Sequence, residues 1–233
     1  MNTYRTNAVI AGILFIVCTG ATLLSYPFGG TYLTGTDYLA RLAAHDTAVI
    51  FGAVIEFIWA ASCAGIALAL YPVLKRRNSA LALGAVGFRF VEAVFVLTGT
   101  LSLLALLTLG REAAAGTVSY ASAGTLLLAV RDWSQNVMLA LPFTLGAFLY
   151  YLVLWSGNLV PRWLSSWGLG AIVLSFAATL IAAFTNGFDD SLHTYLNVPI
   201  GLNELVLAVW LIAKGFDRSA VAALPAGVGE RGV

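Results

Sequence analysis

Residues 80–109 run ALALGAVGFRFVEAVFVLTGTLSLLALLTL. A bilayer crossing takes roughly 20 predominantly apolar residues, and this segment exceeds that length with only two charged side chains, Arg89 and Glu92. Within Phe88-Arg89-Phe90-Val91-Glu92 the two stand at i and i+3, neighbours on one helix face. In water this would be an ordinary helical ion pair. Near the centre of a membrane helix an ionised side chain costs roughly 2.5–3.5 kcal/mol on insertion scales. The fold or the function therefore has to hold the pair in place.

Composition extends the reading to the whole chain. Of 233 residues 60% are hydrophobic and 10% charged, and the mean hydropathy is +0.90. Soluble domains carry about 25% charged residues, so the chain is expected to be an all-α integral membrane protein. The net charge of +1 gives no sign of a nucleic-acid partner. No phosphate-binding glycine loop, HExxH or nucleophile elbow is present, and no cofactor is implied. Cys18 and Cys63 fall in apolar segments without metal-ligand spacing and are taken as small core residues. The apolar run Ala8 to Leu24 has no small-residue cleavage site before Tyr26-Pro27, so it is assigned as a first span rather than a signal peptide.

Six segments are long and apolar enough to span: Asn7 to Phe28, Asp46 to Leu74, Ala80 to Leu109, Val130 to Trp155, Trp163 to Phe184 and Tyr195 to Phe216. They predict one six-helix bundle over residues 1–218, followed by a disordered tail at 219–233. The connection Gly29 to His45 is polar, Gly-rich and Thr-rich. Gly110 to Ala129 can hold an amphipathic turn or extend the fourth helix outwards. Arg5, Lys75-Arg76-Arg77, Arg162, Lys214, Arg218 and Arg231 fall on one side, against Arg41 and Arg111 on the other, with Arg131 at the membrane edge. Both termini are thus expected in the cytoplasm of a multi-pass inner (plasma) membrane protein. Trp155, Trp163 and Trp167 suit an aromatic belt at one interface, and Tyr26, Tyr32, Tyr38 and Tyr195 one at the other. Pro142 predicts a kink in the fourth helix that frees a backbone carbonyl.

The ionisable residues at membrane depth come from four helices. Glu56 lies in the second span, with His45 eleven residues earlier on the same face if the helix extends that far. The third span has Arg89 and Glu92. On the fourth, Asp132, Gln135 and Asn136 form a stripe at i, i+3, i+4 beside Arg131 and Ser134, and the sixth has Asn203 and Glu204. Their depths place them between the outer interface and the midplane, so one shared chamber is expected, open to the non-cytoplasmic face. Three carboxylates, Glu56, Glu92 and Glu204, face one deep guanidinium, Arg89. At least one carboxyl is left over, and it should carry a proton or share a bound cation. The plainer alternatives stay open: Arg89 and Glu92 as a register-fixing pair, Glu56 and Glu204 as acids bonded to carbonyls, and the Asp132 stripe as a solvated helix end. His45 and His193 are taken as surface residues. With Asp46 or Asp189 they could frame a zinc site, but no metal is assigned.

Several short motifs together resemble a known family. They are the basic turn followed by Phe88-Arg89-Phe90-Val91-Glu92-Ala93, the polar opening of the fourth span, the Gly157 to Pro161-Arg162 turn, and a last span from Asn203-Glu204-Leu205 to Trp210-Leu211-Ile212-Ala213-Lys214-Gly215. Over nearly the whole chain except the tail, the pattern is similar to the bacterial six-span family called domain of unknown function 4386. The resemblance implies the six-span fold and marks Arg89, Glu92 and Glu204 as its recurring polar residues. Similar proteins often place a His ahead of the polar pair in the fourth span. Here the segment is Asp132-Trp133-Ser134-Gln135-Asn136, so His-dependent chemistry is not expected there. The family name carries no activity.

Three functions fit these residues. The first is a membrane enzyme doing acid–base chemistry on a hydrophobic, isoprenoid or lipid-like substrate, terpene-cyclase-like by analogy of architecture. Glu56, Arg89, Glu92 and Glu204 would form its catalytic group. His45, Trp59, Phe88, Asp132, Trp133, Gln135, Asn136 and Asn203 would line the substrate, and Phe57 and Phe90 could add π faces. The second is a proton- or cation-coupled transporter, disfavoured by the lack of an inverted repeat. The third is a binding or structural protein. Membrane lipid and a hydrophobic small molecule are the expected partners.

Overall fold

The computed structural model describes residues 3–116, 121–185 and 191–224. Helix α1 (Thr3–Phe28) leads through a 3-10 turn at Gly30–Leu33 to α2 (Tyr38–Ala44), and α3 (Asp46–Arg77) and α4 (Ser79–Ala114) follow. The fourth span is composite: α5 (Ala121–Trp133), a π-helical turn at Ser134–Met138, and α6 (Ala140–Ser156). Helices α7 (Arg162–Thr185), α8 (Ser191–Ala213) and the short α9 (Arg218–Ala223) complete the chain. Six helices are long and apolar enough to cross a membrane. They correspond one to one with the six expected segments, and no strand occurs among the described residues. The chain is a six-span helical bundle of membrane type.

The spans close into a ring. Helix α1 packs on α3, α3 on α4, α4 on α6, α6 on α7, α7 on α8, and α8 returns to α1. The inward face of each span supplies the main core, which includes Phe15, Ile66, Val96, Tyr150 and Leu207. Large apolar side chains such as Leu23, Leu83, Leu101 and Phe184 are exposed on the outside. A helix that is hydrophobic all round suits a lipid-facing exterior. Between α3 and α4 the turn is a single residue, Asn78, whose side chain accepts from Leu81 N at 3.0 Å and so caps α4.

Helix α4 is about 54 Å long at 1.5 Å per residue, more than the roughly 30 Å of a hydrocarbon core. Its excess carries a second, smaller core of Leu42, Val49, Leu103, Leu106 and Leu107, packed against Tyr32, Leu33 and Tyr38. The connection expected to be polar, Gly29 to His45, thus folds: its apolar residues in the 3-10 turn and on α2, Tyr32, Leu33, Tyr38, Leu39 and Leu42, join this core, and α2 packs on α4. The Gly110 to Ala129 connection takes the second of its two expected forms, with α5 extending the fourth span outwards.

Two further differences concern local chemistry. Near Pro142 the helix departs from α geometry through the π turn, closed by Leu139 N donating to Ser134 O at 3.0 Å. The turn ends at Met138, whose carbonyl the missing N–H of Pro142 would have served. At the other end, α9 occupies part of the stretch expected to be disordered. Asp217 caps it, accepting from Ala220 N at 2.9 Å, and Leu224 buries its side chain. Phe216, Ala220 and Val221 also pack on the main core, and Asp217 N donates to Leu159 O at 2.9 Å, so the short helix is docked. Residues 225–233 lie outside the described residues.

Candidate functional site

The inward face of α4 organises the polar residues because Arg89, Glu92, Val96, Gly99 and Thr100 recur at helical spacing along it, all buried. Neighbouring helices approach this face at two levels, and each level holds its own ion pair.

The first level lies toward the α2 end of the bundle. Glu56 of α3 receives Arg131 of α5 in a forked pair, Nη2 to Oε1 at 2.5 Å and Nη1 to Oε2 at 3.3 Å. Thr100 Oγ1 donates to Glu56 Oε2 at 2.7 Å, and Arg131 Nη1 also donates to Gly99 O at 2.7 Å. The residues are 1% and 7% exposed. Arg131, assigned from sequence to the membrane edge, is therefore a deep partner of Glu56. The expected span begins at Val130, whereas the helix begins at Ala121 and places Arg131 ten residues in, about 15 Å along the axis. The apolar run Leu126-Leu127-Leu128-Ala129-Val130 ahead of it was the available signal.

The second level lies toward the basic end. Arg89 Nη1 and Glu92 Oε2 are 3.0 Å apart at 1% and 2% exposure, yet neither atom has a hydrogen-bond partner. They interact as charges without hydrogen-bond alignment. Glu92 Oε1 accepts the thiol of Cys63 at 3.2 Å, and Cys63 Sγ is 3.6 Å from Cys18 Sγ, both cysteines being free. Arg89 Nε reaches Cys63 O at 3.5 Å, and the guanidinium sits 5.4 Å over the Phe143 ring. Helix α6 comes this close because residue 146 is glycine: a Cβ there would stand 3.3 Å from Arg89 Cγ and 3.1 Å from Phe88 Cβ. Glu204 of α8 lies within electrostatic reach of Arg89. Its Oε1 accepts from Tyr150 Oη at 3.1 Å, while the adjacent Asn203 Oδ1 accepts from Tyr151 Oη at 2.5 Å and its Nδ2 donates to Leu164 O at 3.0 Å.

The expected single chamber with one guanidinium is corrected to two clusters with one guanidinium each. The second lies nearer the basic end than the expected place between the outer interface and the midplane, Arg89 following Ser79, the first residue of α4, by only ten of the helix's 36 positions. Tyr150, Tyr151 and Cys63 join the site as well, though nothing charged marks them in the sequence. A Tyr-Tyr pair one helical turn inside the belt residue Trp155 was the signal for the first two.

The remaining expected residues divide. Gln135 is half-buried and donates to Val96 O at 3.4 Å, between the two levels. Trp59 packs at the rim of the main core, and Phe88 is half-buried. Asp132, Trp133, Phe57 and Phe90 are exposed, so the inward stripe of the fourth span is Arg131, Ser134 and Gln135 rather than Asp132, Gln135 and Asn136. Asn136 Nδ2 donates to the Asp132 carbonyl at 2.8 Å. His45 is exposed at the start of α3, with Nδ1 3.0 Å from Arg41 O and its ring stacked on Tyr32 at 4.6 Å. The side chain of His193 and all of Asp189 lie outside the described residues. Among the described residues no cluster of three or more His, Cys, Asp or Glu is placed to hold a metal.

Comparison with known proteins gives one match. The family described as Domain of unknown function (DUF4386) matches residues 10–215, and the chain belongs to that family. Neither curated proteins nor solved structures provide a match.

Proposed function

We propose that this member of the family is a membrane-embedded enzyme that does acid–base chemistry on a hydrophobic, isoprenoid- or lipid-like substrate, with Glu204 as the proton-carrying group. One observation carries the reading: among the described residues three buried carboxyls meet two buried guanidiniums, and Glu204 is the one that forms no ion pair with either, its carboxyl taking a hydrogen bond from Tyr150 instead. A buried carboxyl without a paired cation favours its protonated form, and a protonated acid can donate. At 9% exposure Glu204 is also the least enclosed of the three. In this reading Arg89 and Glu92 fix the electrostatics, Tyr150 orients the acid, and the substrate enters from the bilayer. The basic end faces the cytoplasm of the plasma membrane, as the distribution of Lys and Arg favours.

A proton-coupled transporter is the second reading. One observation favours it: polar groups follow a single face of α4 from Arg89 through Glu92 to Thr100, about 16 Å along the axis.

The test is mass spectrometry of lipid extracts and of detergent-purified protein from cells making wild type or Glu204→Gln. The enzyme reading expects a product that disappears in the variant while a hydrophobic compound stays bound to folded protein. It fails if extracts and bound compounds are the same in both. Uptake into proteoliposomes that depends on a pH gradient and is lost in Glu204→Gln would move the assignment to the transporter.

A further inference from the structure

The basic end of the bundle holds a feature unrelated to the carboxyl clusters. A cavity of about 450 Å³ lies between the start of α1, the end of α3 and the segment joining α8 to α9. Four cationic side chains line it, Arg5, Arg76, Lys214 and Arg218, together with Tyr4 and Phe216, and no carboxylate is among the described residues that line it. Like charges gathered around one space repel, and an anion bound among them would lower that cost.

The cavity is built, not incidental. Arg5 Nη1 donates to Leu211 O at 2.8 Å and Nη2 to Ile212 O at 2.5 Å, so a residue of α1 satisfies the terminal carbonyls of α8. Gly215 ends α8 at φ 76, and a Cβ there would stand 3.1 Å from Arg5 Nη1. Arg76 Nη2 donates to Leu224 O at 2.9 Å, and its guanidinium lies 5.3 Å over the Tyr4 ring. Two arginines are thus locked as walls by structural bonds. Lys214 and Arg218 have no ion pair among the described residues. Asp217, the nearest acid in sequence, is committed to the α9 cap: hydrogen bonds from Ser219 and from the backbone of Ala220 hold its carboxyl below the usual range.

We propose that this cavity is a binding site for a phosphate-bearing anion, with Lys214 and Arg218 as its mobile clamps and Arg5 and Arg76 as its fixed walls. Its place at the end of the spans lets the phosphate belong either to an anionic phospholipid headgroup or to a soluble phosphate ester. The shared chemistry is a tetrahedral oxyanion taking charge-assisted hydrogen bonds.

The experiment is native mass spectrometry and thermal stability of the full chain in mild detergent, titrated separately with phosphatidylglycerol, phosphatidylcholine and glycerol phosphate. The test variant is Lys214→Gln/Arg218→Gln. The control is Lys75→Gln/Arg77→Gln, which removes the same charge from the same end without touching the cavity lining. Tight binding of phosphatidylglycerol, weakened about tenfold or more in the test variant and unchanged in the control, is the expected result and assigns a lipid. The same pattern with glycerol phosphate assigns a soluble ester. Equal binding of phosphatidylglycerol and phosphatidylcholine, equal loss in both variants, or binding of neither anion overturns the proposal. Because all four substituted side chains are exposed at the basic end of the bundle, unchanged melting temperatures without ligand are expected in both variants.

Discussion

The two ion pairs on the inward face of α4 contain the same chemical groups and are built differently. Arg131 and Glu56 come from α5 and α3, meet as a fork, and have a threonine hydroxyl and a backbone carbonyl completing the set. Arg89 and Glu92 come from one helix, lack hydrogen-bond alignment, and share their surroundings with two thiols and a third carboxyl. A pair between helices fixes how those helices sit. A pair within one helix fixes little by itself, so its burial needs another reason. The comparison teaches that two pairs of the same groups, alike in burial, can differ in hydrogen-bond completeness within one bundle.

The largest break in that comparison comes from the Arg131 level. Removing one partner leaves the other charge buried and uncompensated, which costs about 3–5 kcal/mol. Glu56→Ala and Arg131→Met should each lower stability by that order in detergent unfolding, and Glu56→Leu/Arg131→Met together should recover most of it. If each single variant costs less than about 1 kcal/mol, the pair is not structural and the contrast is lost. Next in size is Thr100→Val, which keeps shape and removes a hydroxyl donated to a charged oxygen at 2.7 Å. A loss of about 1.5–3 kcal/mol is expected.

Much of this was legible in the sequence, for physical reasons. Six apolar runs separated by basic or glycine-rich turns leave little freedom in the fold, because every backbone polar group in lipid must be satisfied within its own helix. Arg89, Glu92 and Glu204 stand out for the same reason: charge in hydrocarbon is costly and therefore visible. Arg131 did not stand out, because its depth depends on where α5 begins, and helix ends are the weakest part of any periodicity reading. Cys63 and Tyr150 also escaped, since a thiol or a phenol in an apolar run carries no charge to flag it. Its hydrogen-bond partner is settled only when Glu92 or Glu204 is brought alongside by packing.

Glu204→Gln sharpens the other side of the comparison. The amide keeps an oxygen for Tyr150 and the same volume, so stability should change by about 1 kcal/mol or less. In the enzyme reading it should abolish product formation. A stability loss as large as that of Glu56→Ala would instead make Glu204 a structural charge and leave the protein without its odd carboxyl.

The smallest effect carries the finest distinction. Tyr150→Phe removes one neutral hydroxyl from Glu204, as Thr100→Val removes one from Glu56, so the two deletions form a matched pair. A hydrogen bond to a neutral acid contributes about 0.5–1.5 kcal/mol net, and one to an ionised acid about 1.5–3 kcal/mol. With Glu204 protonated and Glu56 ionised, Tyr150→Phe should fall near the lower end, about 0.5 kcal/mol, and well below Thr100→Val in the same unfolding assay. Equal losses would mean that both carboxyls are charged. The Arg89 level would then hold two carboxylates around one guanidinium, and a bound cation, rather than a proton, would have to balance them.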